Sequence, residues 1–265
     1  MILQGRGVNA GSSRGEALVS GLPLSFLGGL DPATGNFVDP GSDLAGRSVA
    51  GKVLVFPMGK GSTVGSYVLY GACRRGNGPA AILCERAETI VAVGAVISGI
   101  PLIDRVDLGA VQTGDRVSVD GATGTVHLPG VRQEEVASAF LRRGDHFLFL
   151  HRGETAPTHP GLWSGVSGMI EGSEDPAARA QQEIAEETGL TAKHLAQGKP
   201  IFVRLGARAF RIHPFLFDCL DGEPRLNYEN DEARWLTMEE IRAMPCVPRL
   251  ADAIGSAVGG LATRP

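Results

Sequence analysis

Residues 168–190 read GMIEGSEDPAARAQQEIAEETGL, and this stretch decides the fold of the second half of the chain. Asp175 followed by Pro176 is a strong helix start, because aspartate accepts a hydrogen bond from the first turn and proline has no N–H left to pair. Gly189 is a typical helix end. The sequence therefore predicts a helix over Asp175–Thr188.

The predicted helix has two faces. Residues at helical spacing give one apolar face, which we expect to pack against a sheet; they are Ala177, Ala180 and Ile184. Glu183, Glu186 and Glu187 are three or four residues apart and share the other side. Three acids on one side repel each other, so this side is either a solvated surface or a site for a cation. Oxygen ligands select Mg²⁺ or Mn²⁺ over zinc.

This stretch resembles the signature of the Nudix hydrolase family, a long motif that runs from a glycine to a final Glu-Glu-x-Gly-apolar sequence. The matching positions are Gly168, Glu174, Glu183, Ile184, Glu186, Glu187, Gly189 and Leu190. The family's arginine usually pairs with and orients the first glutamate of the motif, which is Glu174 in this chain. The residue at the arginine position is Gln182. Arg179, one turn earlier, could partly substitute for that arginine. The departure puts catalytic efficiency in doubt more than the fold.

The resemblance covers roughly residues 135–255 and implies an α/β/α sandwich. It also implies metal-assisted hydrolysis of a phosphoanhydride, in which Mg²⁺ or Mn²⁺ neutralises the diphosphate and water attacks phosphorus. The implied metal ligands are Glu183, Glu186 and Glu187. Glu183 is alternatively the general base. Glu229 or Glu232 could approach the metal from a loop, or be a plain surface acid.

The first half of the chain has a different pattern, rich in Gly, Val and Ile. Short apolar runs between turn signals predict strands over Val53–Phe56, Ala80–Cys84, Arg116–Val119 and Gly124–His127. Thr63–Arg74 is predicted as a helix. A second, short helix is expected near Glu88–Val93, but it overlaps the apolar run Ile90–Val96, whose periodicity does not distinguish strand from helix. These features predict a mixed α/β domain.

The sequence Leu128-Pro129-Gly130 interrupts this pattern. A new hairpin is predicted after it, with strands over Val136–Phe140 and His146–His151 joined by a turn at Arg143-Gly144-Asp145. We therefore predict two domains, 1–130 and 131–265.

Glycine-rich phrases in the first half carry a second resemblance: SFLGGLDPATG (25–35), GKGSTVGSYVLY (59–70), AETIVAVGAVISGIPLID (87–104) and TGDRV (113–117). They resemble the small subunit of the aconitase-X family, and most closely the archaeal phosphomevalonate dehydratase small subunit. This implies a swivelling β/β/α domain. In that family a separate large subunit holds the iron–sulfur cluster or other metal, and the small subunit supplies a serine as proton acceptor.

That serine corresponds to Ser62. It follows Lys60 and Gly61 in a glycine-rich turn that leads into the predicted helix. Such a turn exposes backbone N–H groups that suit an anion, so Lys60 and Gly61 are the expected substrate-binding residues. The helix terminus and Lys60 could stabilise the serine alkoxide. The alternative is a structural turn with a helix-capping serine.

Composition excludes several other classes. The net charge is −4, and residues 1–130 carry 10 basic and 10 acidic side chains, so the net charge lies in the second half. No basic cluster suited to nucleic acid is present. The chain starts without a signal-like leader, and its longest apolar run, Ile90–Ile103, is too short to cross a membrane. Four cysteines lack metal-type spacing. We therefore expect a cytoplasmic protein.

Together these patterns predict a fusion of a dehydratase small-subunit domain with a Nudix hydrolase domain, both acting on small phosphorylated metabolites. The fusion suggests a shared pathway, isoprenoid biosynthesis. Two alternatives stay open. In the first alternative, only the Nudix half is catalytic and the N-terminal half is a docking module. In the second, the Nudix half is an inactive metabolite sensor. Isopentenyl-diphosphate isomerases with this fold are disfavoured because Trp163–Glu174 contains no cysteine.

Overall fold

The computed structural model describes residues 1–263, and the chain divides into two compact units, Met1–Arg132 and Gln133–Pro265. Each unit has its own sheet and its own hydrophobic core, so the two are described separately. Among the described residues, none of the helices combines the length and the apolar character needed to cross a bilayer.

The first unit is built on one eight-stranded sheet. Its elements are β1 (Ile2–Gln4), β2 (Arg6–Asn9), β3 (Ser12–Val19), β4 (Leu24–Ser25), β5 (Val53–Phe56), β6 (Gly59–Lys60), α1 (Gly65–Arg74), β7 (Ala81–Cys84), α2 (Thr89–Ser98), β8 (Leu102–Asp104), β9 (Arg116–Asp120) and β10 (Thr125–His127). The sheet order is β1-β10-β9-β3-β5-β7-β8-β2, and β4 pairs separately with β6. The start of β3 pairs antiparallel with β9 and its end pairs parallel with β5. One half of the sheet is therefore antiparallel and the other mainly parallel.

The parallel strands are buried, as their apolar sequences predict. Every residue of β5 and β7 is fully buried. The ambiguous apolar segment forms helix α2 rather than a strand. The Glu88 side chain caps it by accepting hydrogen bonds from the N–H groups of Ile90 and Val91, and Gly99 ends it in a left-handed conformation. The capping residues at its two ends, rather than the spacing of its apolar residues, therefore indicate that this segment is a helix.

The second unit begins with the predicted hairpin and continues as a mixed α/β fold. Its elements are β11 (Arg132–Arg143), β12 (His146–Arg152), β13 (Trp163–Ser164), β14 (Val166–Met169), α3 (Pro176–Thr188), β15 (Lys193–Gln197), β16 (Ile201–Leu205), β17 (Arg208–Asp218), β18 (Asn230–Leu236), α4 (Met238–Arg242) and α5 (Leu250–Gly259). The sheet order is β13-β12-β11-β17-β15, with β14 on β11, β16 on β17 and β18 on β12. The strands predicted at 136–140 and 146–151 are thus parts of the longer β11 and β12.

Helices cover both faces of this sheet. Ala180 and Ile184 of α3 are fully buried in one core, together with Ala137 and Ala139 of β11. Residues of α4 and α5 join Phe140 of β11 in a second core. Successive residues of a strand point to opposite faces, so the two cores lie on opposite sides of the sheet. The unit is therefore an α/β/α sandwich.

Candidate active site

Two glutamates of α3 are buried beside strand β14. Glu183 and Glu187 lie one helical turn apart and are 7% and 5% exposed. Gly168 of β14 approaches Glu183 so closely that a Cβ atom there would overlap the carboxylate. A glycine at this position therefore lets the helix bring its carboxylates against the strand. Two of the three predicted acids are thus buried, and Glu186 is exposed.

Glu187 is held by two hydrogen bonds. Its carboxylate accepts from the Ser167 N–H at 3.1 Å and from the Asn230 side-chain amide at 3.0 Å. Burial nevertheless raises the pKa of Glu187 to about 7, and the nearby Glu183 charge adds to the rise. The negative charge of this carboxylate is therefore only partly compensated by its protein neighbours.

Arg179 is the partner of Glu183. Its guanidinium donates a hydrogen bond to the Glu183 carboxylate across one helical turn. Burial raises the pKa of Glu183, and the positive charge of Arg179 opposes that rise. The Nε–H of Arg179 is buried and has no hydrogen-bond partner among residues 1–263. Arg179 thus has one N–H donor without a partner in the described part of the chain.

Gln182 occupies the position of the family's arginine, and neither Gln182 nor Arg179 makes the expected contact to Glu174. The Gln182 amide donates to Glu186 at 2.7 Å. Glu174 accepts a hydrogen bond from a backbone N–H of its own loop at 2.9 Å. Arg179 pairs with Glu183, so the idea that it takes over the arginine contact to Glu174 is wrong. The reason is geometric, because residues four apart on a helix face each other.

Of the two acids expected near the metal, only Glu229 lines the cavity. Glu229, which precedes β18, lines the same cavity, and its carboxylate lies 3.9 Å from the Arg152 guanidinium. Glu232 lies within β18 and accepts a hydrogen bond from Arg234 at 2.6 Å, outside the lining of the cavity. Glu229 is therefore the loop acid placed near the α3 carboxylates.

These side chains line one cavity of about 540 Å³ in the second unit. One end is polar, and its charged residues are Arg152, Arg179, Glu183, Glu186, Glu187 and Glu229. The other end is apolar and is lined by Phe140, Val203, Phe210, Ile212, Leu250 and Ala253. The carboxylates come mainly from α3 and the apolar side chains come partly from α5, and these helices lie on opposite faces of the sheet. The cavity therefore has a charged part and an apolar part.

The polar end fits a hard divalent cation by its donor chemistry. Four carboxylates face two guanidinium groups there, and carboxylate oxygens are the ligands that Mg²⁺ and Mn²⁺ prefer. The Asn230 Oδ1 atom is also buried without a hydrogen-bond partner in the described part of the chain. Within residues 1–263, no three His, Cys, Asp or Glu side chains are already gathered as a metal site. Glu183 and Glu187 are instead engaged by protein donors.

In the first unit, the predicted residues lie on the turn before α1. Ser62 is exposed, and its Oγ accepts a hydrogen bond from the Val64 N–H at 3.3 Å. The helix starts at Gly65, two residues later than predicted, because Thr63 and Val64 form a turn in which the Gly65 N–H donates to the Ser62 carbonyl at 2.9 Å. Lys60 is exposed at the end of β6. Lys60, Gly61 and Ser62 thus form one accessible loop.

Sequence reasoning missed three residues that line or support the second-unit site. Arg152 directly follows the strand predicted at 146–151, Ser167 lies beside Gly168, and Asn230 begins β18. A polar residue at the end of a predicted strand was the available signal. No spacing rule connects these positions to α3, since the contacts join residues 20 and 43 positions apart.

Comparisons with known proteins agree with this division into two parts. Residues 2–128 match the family described as "Aconitase X swivel domain", and residues 132–254 match the family described as "NUDIX domain". The chain thus belongs to the aconitase X swivel-domain family through its N-terminal half, and its C-terminal half contains a NUDIX domain. Both resemblances predicted from the sequence motifs are confirmed.

The N-terminal relatives are more specific. The phosphomevalonate dehydratase small subunit of Pyrococcus furiosus is 54% identical over 128 residues, which cover 48% of this chain and 96% of the relative. The structure of Thermococcus kodakaraensis aconitase X is 52% identical, with a TM-score of 0.48 over 48% of this chain and 98% of that chain. For the C-terminal half, a NUDIX hydrolase from Nitrosomonas europaea is 18% identical, with a TM-score of 0.42 over 49% of this chain and 90% of that chain. The family match and the Pyrococcus furiosus relative together show that the N-terminal half is a swivel domain of the phosphomevalonate dehydratase small-subunit type.

Proposed function

We propose that domain 131–265 is a Mg²⁺- or Mn²⁺-dependent hydrolase of a diphosphate-linked substrate, and that domain 1–130 is the small subunit of a hydro-lyase. The observation that carries the first part is the pair of buried carboxylates, Glu183 and Glu187, in the wall of an open cavity. Burying two acids is unfavourable unless their charge serves a purpose or is compensated.

The residues that would hold the cation are Glu183, Glu186 and Glu187. When bound, Mg²⁺ or Mn²⁺ would neutralise the diphosphate and polarise its phosphorus–oxygen bond. Glu183 is either a ligand or the general base that takes the proton from water. Gly168, Glu174 and Gly189 belong to the Nudix signature of residues 168–190 and would shape the helix and its entry loop. Gly189 in particular ends α3 at φ +65°.

Arg179 and Arg152 contribute positive charge on the wall of the same cavity. Arg152 is held in place because its Nε donates to the Thr158 carbonyl at 2.7 Å. The Arg179 guanidinium lines this cavity and can donate a charge-assisted hydrogen bond to a phosphate oxygen. These two guanidinium groups would orient the diphosphate, and the buried setting strengthens their electrostatic effect.

Phosphate release from a panel of nucleotide and alkyl diphosphates, with Mg²⁺ or Mn²⁺ present, tests the hydrolase. We expect Glu187→Gln and Glu186→Gln to lower kcat/KM by at least about 10- to 100-fold, the effect typical of disturbing a metal site. Glu239→Gln, on the exposed surface of α4, is the matched control. Retained ligand binding with no release from any substrate would contradict the hydrolase and favour the sensor.

For the N-terminal half, the relatives are named small subunits, which implies a large-subunit partner for this chain as well. We propose that the large subunit carries the iron–sulfur cluster or other metal, and that Ser62 accepts the proton removed from carbon while hydroxide leaves the substrate. Lys60 and Gly61 would bind the phosphorylated substrate. The exposure of all three residues on one loop supports this assignment.

Co-expression of the full chain with an aconitase-X large subunit, followed by an assay of phosphomevalonate dehydration, tests the hydro-lyase. Ser62→Ala should lower turnover by at least about 100-fold, as expected for loss of a general base. Ser118→Ala, on the exposed surface of β9, is the control. Unchanged turnover in Ser62→Ala would rule out the role of Ser62, and failure to co-purify would remove the partner.

A further inference from the structure

The apolar end of the cavity carries information on the substrate. Val203 and Phe210 stand opposite each other on β16 and β17, and both are less than a tenth exposed. Phe140 of β11 and Leu250 of α5 are buried alongside them. Four separate elements therefore supply apolar side chains to one wall, which is more than a chance surface patch.

Backbone groups do not add polarity to this wall. The cavity meets the face of the sheet, where strands present side chains while their N–H and C=O groups lie in the plane of the sheet. The strand β16 pairs with β17 along its whole length, and β11 pairs with β14 from residue 136 to residue 139. In the loop before α5, the Val247 N–H donates to the Trp163 carbonyl at 3.0 Å, and Pro248 has no N–H.

Polar side chains around this wall are mostly engaged by other protein groups. The Arg208 guanidinium lies 4.7 Å from the centre of the Phe210 ring, and its Nε donates to Glu134 at 2.9 Å. Arg249 lines the cavity, but its guanidinium donates to the Phe202 carbonyl at 2.8 Å and to the Asp252 carboxylate at 2.9 Å. Ser138 and Ser167 share a hydrogen bond of 2.7 Å between their hydroxyl groups. Ser164 also lines the cavity, and its Oγ atom is buried without a hydrogen-bond partner in the described part of the chain, so it can pair with one polar group of a ligand. A nucleobase carries several donors and acceptors on its edges, and most of them would be buried here without partners, which is unfavourable.

We infer that the substrate is a diphosphate ester of an apolar alkyl chain, with its diphosphate at the carboxylate end and its chain against Val203 and Phe210. This inference rests on the proposed hydrolase function. An alkyl chain has no polar groups to satisfy, and its transfer from water to this wall is favourable in proportion to the area buried. The ligand thus matches the two-ended character of the cavity.

The reaction balances as a simple hydrolysis. The oxygen of water bonds to the terminal phosphorus, and the bond from that phosphorus to the bridging oxygen breaks. The products are the alkyl monophosphate and inorganic phosphate, with one proton released from the attacking water. No oxidant or second substrate is needed.

The test compares isopentenyl and geranyl diphosphates with ADP and ATP, using the full chain with Mg²⁺ or Mn²⁺ and measuring phosphate release. We expect kcat/KM for at least one of the alkyl diphosphates to exceed that for the nucleotides by about 100-fold, the scale set by unpaired polar groups in a binding site. Equal or better turnover of the nucleotides would overturn this inference and leave the hydrolase standing. No release from these four probes, with release from another compound of the diphosphate panel, would also overturn this inference alone. No release from the whole panel would contradict the hydrolase itself.

A pair of matched variants tests the position of the chain. Val203→Thr keeps the shape of the side chain and adds a hydroxyl to the wall, so KM for geranyl diphosphate should rise about threefold to tenfold with kcat unchanged. Val258→Thr, on the exposed surface of α5, should leave both constants unchanged. Ile212→Thr repeats the test at a less buried position of the wall. Unchanged KM in both wall variants would overturn the proposed binding mode.

Discussion

At the scale of single residues, Arg179 and Gln182 of α3 have different partners. Arg179 lies four positions before Glu183, a spacing that brings the two side chains together on one helix face. Gln182 faces Glu186 instead. The positive charge near the buried carboxylates therefore comes from a position that the family pattern leaves unspecified.

We expect Arg179→Gln to lower kcat/KM for phosphate release by about 10- to 100-fold, because it leaves Glu183 buried without its counter-ion and removes a donor to phosphate. Steady-state kinetics should show part of this loss in KM. Arg242→Gln, on the exposed end of α4, is the matched control. An unchanged kcat/KM would show that Arg179 has no part in the site.

The second residue-scale prediction concerns Asp104 in the first unit. Its side chain is 2% exposed and accepts two hydrogen bonds from Arg6, at 2.8 and 2.6 Å. Burial alone would raise the pKa of Asp104, but Arg6 and the Ala87 N–H hold it below its usual value. A lowered folded-state pKa stabilises the fold above the unfolded pKa of about 3.9, and this contribution is lost as pH falls through the folded value.

Asp104→Asn should therefore lower the free energy of unfolding at pH 7 by about 1–3 kcal/mol, as expected for weakening a buried charged hydrogen bond. The variant should also lose less stability than the unsubstituted protein between pH 6 and pH 3. Urea unfolding followed by far-UV circular dichroism at several pH values measures both. Parallel pH profiles for the two proteins would contradict this role.

At the scale of elements, the ends of α3 place its carboxylates. The Asp175 side chain accepts a hydrogen bond from the Ala178 N–H at 2.9 Å, and Gly189 adopts the left-handed conformation that closes the helix. Both ends were predicted from local sequence, because capping depends on neighbouring residues. The strands β15, β16 and β17 and helix α5 were not predicted, since their form depends on packing across the sheet.

Asp175→Ala should lower the free energy of unfolding of the second unit by about 1 kcal/mol, because the first turn of α3 loses its side-chain acceptor. Asp175→Ser keeps an acceptor and should retain most of the stability. Denaturant unfolding followed by tryptophan fluorescence measures this change, since Trp163 and Trp235 both lie in the second unit. Equal losses in the two variants would show that the cap contributes nothing.

At the scale of the whole molecule, the separate cores predict two unfolding transitions. Tryptophan fluorescence follows only the second unit, whereas circular dichroism follows both. Asp104→Asn should therefore shift the circular dichroism curve and leave the tryptophan midpoint unchanged, and Asp175→Ala should shift the tryptophan midpoint. Coincident shifts of both signals in both variants would show that the units unfold as one.

The sequence by itself determined the two families, the hairpin after residue 130 and the ends of α3, because each depends on motifs or on neighbouring residues. Only the tertiary structure decided that Glu183 and Glu187 are buried, that Glu229 rather than Glu232 reaches the cavity, and that the opposite end is apolar. A helical period shows which side chains share a face. What that face meets is decided by strands far away in the chain, and those contacts leave no local pattern.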